Sequence, residues 1–208
     1  MNDLFHNLDF EKTVKFLTLI VGAIGLFKAL IEYTKAQRWK KAEFLAKEVK
    51  EFFADNDVQR ALLMLDWSIV DIPLFENEIE DKKKFSFNDL MLVTALRHHN
   101  ETYFTDEETI IRQTFDEFLF KLGMFQNYID SKLITKKDIE PYLSYWINLI
   151  GNIDLERKDE QCFRQLWRFI NYYDYKPVIK LFESFKYNIT TEKMPDTIPH
   201  QNQKSAGS

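Results

Sequence analysis

The chain has 208 residues, 45% hydrophobic and 29% charged, with 28 basic against 33 acidic side chains for a net charge of −5. Roughly 150 residues per domain allows one domain with at most an appendage, and this composition excludes both a wholly disordered chain and a multi-spanning membrane protein. Five glycines and five prolines fall well below average usage of roughly 7% and 5%, too few for a turn-dense sandwich or barrel. The expected fold class is therefore all-α: an N-terminal transmembrane helix continuing into an irregular cytosolic bundle of about six helices.

In chain order the expected divisions are a short extracytoplasmic N-terminus (1–12), the transmembrane helix (13–33), a cytosolic helical domain (34–188) and a disordered tail (189–208). The first informative stretch is Thr13 to Ile31. Its centre, Phe16 to Phe27, carries no charge and is bracketed by Lys15 and Lys28. From Thr13 to Ile31 a helix covers about 28 Å of a hydrocarbon layer roughly 30 Å thick, provided both lysines reach toward head groups.

Tyr33 and Trp39 follow at interfacial depth, with Lys35, Arg38, Lys40 and Lys41 and no acid from residue 33 to residue 42. Lys15, Lys28, Tyr33 and Trp39 thus form the expected membrane-anchor interface. The basic bias on this side places the N-terminus outside a bacterial inner membrane and the rest of the chain in the cytoplasm. A cleavable signal peptide fits less well, because no basic residue lies in the first ten positions. A core helix of a soluble bundle also has this length, and that alternative stays open. Thr18, Gly22, Gly25 and Ala29 recur at helical spacing and form a candidate helix-association face.

From Ala36 to Ala54 the apolar residues Trp39, Ala42, Leu45, Ala46, Val49, Phe52 and Phe53 follow at spacings of three and four, an amphipathic helix continuing from the first with little break. Asp55-Asn56-Asp57 is a stop and recap before a short helix ending near Trp67. Ser68 to Lys84, with Pro73 and a run of charge, reads as a surface connection with room for a short extended piece. Ser86 with Asp89 is expected to open a helix ending at His98-His99-Asn100. The Thr105/Glu108 capping box opens the longest run, through Ile111, Phe115, Phe118, Leu119, Leu122, Phe125 and Ile129. Thr135 with Asp138 opens the next, in which Pro141 marks a kink or the true start and Gly151-Asn152 the stop. Cys162 to Tyr173 and a helix opening at Pro177 complete the bundle.

Chemistry is sparse in this pattern. His98-His99 lacks the spacing of a metal motif and suits a helix C-terminus. The acids of the long helix lack the Glu-x-x-His partners of a di-metal site, phosphate-cradling glycine loops are absent, and no Arg has the His spacing of all-helical HEPN-type ribonucleases. The lone Cys162 excludes an intrachain disulfide and reads as a small buried residue. No catalytic residue, metal or cofactor is expected. Arg157, Arg164, Arg168 and Lys176, set among Trp167, Tyr172, Tyr173 and Tyr175, form a possible patch for an anionic ligand or lipid; its alternative is stems covering aromatic edges and pairing with Asp159, Glu160 and Asp174.

The apolar N-terminal helix, then RWKKAEFLAKEVKEFFAD, then ALLMLDW, resembles a set of uncharacterised bacterial single-span membrane proteins with a helical cytosolic domain. The likeness covers about two-thirds of the chain and rests on hydrophobic positions and Trp67, so it implies fold and topology rather than activity. Expected partners are membrane lipid and either another protein or a second copy of the chain, with no specific nucleic acid. The expected function is a membrane-anchored interaction module. The alternatives are an oligomerising, membrane-disrupting effector, by analogy with membrane-tethered proteins of phage defence, and a soluble bundle; an enzyme is the least favoured class.

Overall fold

The computed structural model describes residues 2–75, 78–80, 82–100 and 103–190, with side chains from Lys12 onward. Two units divide the chain, Met1–Lys50 and Glu51–Ser208. Helix α1 (Asn2–Ala54) is continuous, as the absence of Gly and Pro between Gly25 and Asp55 permits. From Lys12 to Lys40 it carries no buried face. Further along, Leu45, Val49 and Phe52 are buried at spacings of four and three, whereas Trp39, Ala42 and Ala46, expected on the same face, are exposed.

In the second unit Asp55 caps α2 (Asn56–Asp66), its carboxylate accepting from the amides of Asp57 and Val58 at 3.1 Å. Strands β1 (Ile69–Pro73) and β2 (Lys84–Asn88) then pair antiparallel, with Val70 opposite Phe87 and Ile72 opposite Phe85. This hairpin corrects the purely helical reading. Phe85 and Phe87 alternate with Lys84, Ser86 and Asn88, a period of two that puts both rings inside and Ser86 in a strand rather than at a helix start. Asn88 is the true cap of α3 (Asp89–Ala95), accepting from the Met91 amide at 3.1 Å.

The Thr105/Glu108 capping box is in place, with reciprocal bonds of 3.2 and 3.0 Å, and opens α4 (Asp106–Asp130). Through Ile111, Phe115, Phe118, Leu119, Leu122 and Phe125 α4 buries one face along most of its length. It packs against α2, α3 and α7, so the core of this unit gathers around it. Phe52 meets Phe125 edge-on at 5.3 Å and Phe118 at 6.1 Å, part of the aromatic core that the Phe count foretells.

Helix α5 (Lys136–Gly151) starts five residues before Pro141, so the proline lies inside it and does not open it. A 3₁₀ turn (Ile153–Leu155) leads to left-handed Glu156 and then α6 (Glu160–Tyr172), capped by Asp159, and α7 (Lys176–Ser184) opens around Pro177. Ile189 is buried; of the expected tail, 191–208 lies outside the described residues. The described residues thus form seven α-helices and two short strands, 73% helical.

Gly151 has no positive φ. It is small because Tyr187 lies over it: a Cβ there would sit 2.6 Å from Tyr187 Cγ and 2.8 Å from Tyr187 Cβ, a near-backbone atom with little freedom to yield. Gly151→Ala is accordingly expected to cost about 1–3 kcal/mol, read as a lowered urea midpoint of the full chain in mild detergent; an unchanged midpoint would show that Tyr187 can move.

Candidate functional site

The apolar segment of α1 is the most distinctive surface. All eleven Val, Ile, Leu and Phe residues from Val14 to Ile31 are exposed, Leu19 at 71% and Phe27 at 68% among them. It is the one helix among the described residues long and apolar enough to cross a membrane, with a mean hydropathy of 2.1 over its best 18 residues. Polar side chains within it are satisfied locally. Thr18 donates to the Val14 carbonyl and Thr34 to the Ile31 carbonyl, both at 2.8 Å, which removes unpaired hydroxyls from a surface that apolar solvent could wet.

Around this segment Lys15 is exposed, Lys28 stands 4.0 Å from Glu32, and Tyr33 and Trp39 are exposed at 62% and 72%. Thr18, Gly22, Gly25 and Ala29 share one side of the helix by their spacing, all exposed, with open space where a Cβ would stand on either glycine.

Of the four bases of the expected anionic-ligand patch, Arg164 and Arg168 share α6, Arg157 precedes it and Lys176 opens α7; Arg157, Arg164 and Lys176 face carboxylates. Arg157 donates to Asp66 and to the Tyr145 hydroxyl, both at 2.8 Å. Arg164 pairs with Glu160 one turn earlier, and Lys176 lies 2.8 Å from Asp174. Arg168 is half-buried on α6. Their neighbour Lys158 is an internal tie: its ammonium, fully buried, donates to the Trp67 carbonyl at 2.8 Å and to Asp89 at 2.6 Å, joining the approach to α6 to the ends of α2 and β2.

A different cluster escaped the sequence reading. Arg112 of α4 donates through Nη1 to the carbonyls of Ala95 and Arg97, at 3.1 and 2.9 Å, closing the C-terminal end of α3. Its Nη2 lies 2.5 Å from the Tyr173 hydroxyl, which is 2.8 Å from His99 Nδ1. His99 stacks on His98 with centroids 4.6 Å apart, and Tyr172 meets His98 edge-on at 4.2 Å. Arg97 is bound by Glu108 in a fork of 2.8 and 3.1 Å and lies over the Phe104 ring. His98 and His99 carry a visible sequence signal; their partners Tyr172 and Tyr173, 73 to 74 positions away, do not.

A cleft of about 410 Å³ is lined by Asp57, Arg60, Thr114, Asp116 and Glu117. Its wall holds the buried Arg60 guanidinium, forked onto Glu78 at 2.9 and 2.6 Å and stacked 3.8 Å from the Phe75 ring centre. Cys162 is inert: burial, reinforced by Asp89, pushes its thiol up to about 12. Among the described residues no three His, Cys, Asp or Glu side chains converge as metal ligands do. No family model matches the chain, and no curated protein or solved structure matches it either.

Hydrogen bonding from Arg60 lowers the Glu78 carboxyl below its ordinary value of 4.5. For Glu108 burial pushes upward, but the bonds from Arg97 and the Thr105 amide outweigh it and the net shift is again downward. Carboxyls depressed in the folded state lend stability that is fully present above about pH 4.5 and is lost as the pH falls through their folded values. The urea midpoint should therefore fall with pH below about 4.5, and Arg60→Gln should shrink that dependence; an identical acid limb in the variant would assign the loss to other groups.

Proposed function

We propose that the chain is a single-pass membrane protein in which α1 anchors a cytosol-facing helical module for interaction with a protein partner or with further copies of itself. The carrying observation is the complete exposure of the apolar residues from Val14 to Ile31. A soluble helix hides one apolar stripe and wets the opposite face, whereas this segment is apolar all round and closed in its own hydrogen bonds, the pattern suited to lipid. The side bearing Tyr33, Lys35, Arg38, Trp39, Lys40 and Lys41 is the cytoplasmic one on the positive-inside rule, with the N-terminus outside. The resemblance to bacterial single-span proteins supports the same arrangement and the inner membrane as its place.

The second unit suits an interaction module. Its ionic pairs at Arg60, Arg97 and Lys158 are inward or half-buried and tie elements together. The defence-effector alternative requires self-association through Thr18, Gly22, Gly25 and Ala29, whose open surface permits close helix approach.

Leu19→Arg combined with Ile24→Arg places two charges at mid-segment, at about 5–7 kcal/mol of insertion cost. The full chain should stay in membranes through an alkaline carbonate wash, and the double variant should leave at least tenfold more protein in the supernatant. A wild-type chain recovered in the wash would overturn the anchor.

A further inference from the structure

We propose that the surface formed by His98, His99 and Tyr172 over the Arg112–Tyr173 pair binds a nucleoside phosphate, with the base on the exposed rings and the phosphate at His99. This site is independent of the membrane reading. It rests on three features: a fixed positive charge, an imidazole edge held in place, and aromatic rings at the surface.

The charge belongs to Arg112. It makes no ion pair among the described residues, and its contacts go to two backbone carbonyls, the Tyr173 hydroxyl and the rings of Phe104, Phe169 and Tyr173. These contacts hold the guanidinium in place without cancelling its charge. The nearby Arg97 is matched by Glu108 and Lys176 by Asp174, while Asp116, one turn on from Arg112, accepts from the Tyr175 hydroxyl at 2.6 Å. Arg168, one turn before Tyr172 on α6, lies on the same side of that helix.

The donor follows from the hydrogen-bond sequence. Tyr173 accepts from Arg112 Nη2, and its hydroxyl meets His99 Nδ1 at 2.8 Å, which holds the imidazole with Nε2 on the edge away from Tyr173. With Nδ1 accepting from Tyr173, or with both ring nitrogens protonated, Nε2 carries an N–H on that edge that meets a phosphate oxygen. Tyr173 is thus a positioning residue that holds the His99 ring in place.

The rings are exposed His99, stacked on half-buried His98 at 25° from parallel, and Tyr172, edge-on to His98 and 54% exposed. Exposed rings beside fixed cations are the recurring device for holding a base and its phosphate together, with stacking worth about 1–3 kcal/mol per base. An inorganic phosphate leaves the rings unused, and an uncharged nucleoside leaves Arg112 and His99 unused. The ligand class that uses both is a nucleotide.

The test titrates the full chain in detergent micelles with AMP, GMP, CMP and UMP, and with adenosine and inorganic phosphate, by calorimetry. At least one nucleotide should bind saturably, and its nucleoside and phosphate alone at least tenfold more weakly. Tyr172→Ala and His99→Ala, both at exposed positions, should each weaken the nucleotide by about 5–150-fold, the range of one lost stack. Tyr173→Phe should weaken it while moving the His99 imidazole carbon and nitrogen resonances, a signature that a packing role would not produce. Arg164→Ala should change nothing. Saturation-transfer NMR on the unmodified chain should show the base protons in contact with it. Absence of saturable binding by all four nucleotides would overturn the proposal, as would equal affinity for phosphate alone or indifference to both Tyr172→Ala and His99→Ala.

Discussion

Eleven large apolar side chains between Val14 and Ile31 stand on one helix with solvent on every side. Fully burying such a side chain is worth about 1.5–3 kcal/mol, so a bare helix of this kind in water is under pressure to find cover. It has already met the backbone's demands by helical bonding, and Thr18 and Thr34 spend their hydroxyls on their own turn. What remains is a purely apolar surface, bracketed by Lys15 and Lys28. A bilayer covers such a surface from all directions at once, whereas another protein helix covers one face. The anchor is therefore the inference on which topology, localisation and the module reading depend.

The second unit solves the opposite problem, and solves it conventionally. Each helix there hides one stripe, with α4 as the element on which α2, α3 and α7 converge. Among the described residues, charge enters the interior where it joins elements: Lys158 ties the end of α2 to the start of α3, and Arg60 ties α2 to the segment after β1. Removing one partner of such a pair leaves the other desolvated and alone, which makes these ties costly to break even where their net contribution is small. The consequence for function is a rigid frame. Arg112, spent on the last carbonyls of α3, holds Tyr173 and through it His99, so a structural cap doubles as the support of the proposed nucleotide site.

Local rules made much of the helical pattern legible. The Asp55 cap, the Thr105/Glu108 box and the apolar spacing of α4 all depend on residues within a turn or two of each other, and all appear in the structure. The hairpin was harder to see because β2 has only two inward positions, Phe85 and Phe87, next to a run of charge that reads as loop. The fate of the bases was not legible at all. Arg157 and Lys158 are adjacent in sequence, yet one is half-exposed beside Asp66 and the other fully buried against Asp89, a difference decided by partners 69 to 91 residues away. The His98–Tyr172 and His99–Tyr173 contacts are equally long-range, and the spacing rules that flagged the histidines cannot supply partners from another helix.

The central claim concerns what surrounds α1 between Val14 and Ile31, and nitroxide labels distinguish lipid, protein and water directly. With Cys162 replaced by alanine, labels placed singly at Leu17, Val21, Ile24 and Leu30 would be read in lipid vesicles for collision with oxygen, which concentrates in the bilayer, and with a water-soluble nickel chelate. The anchor predicts high oxygen and low nickel accessibility, deepest at Val21 and Ile24 and shallower toward both lysines. Low accessibility to both reagents would place the segment in a protein core, and high nickel accessibility would place it in water; either contradicts the membrane anchor.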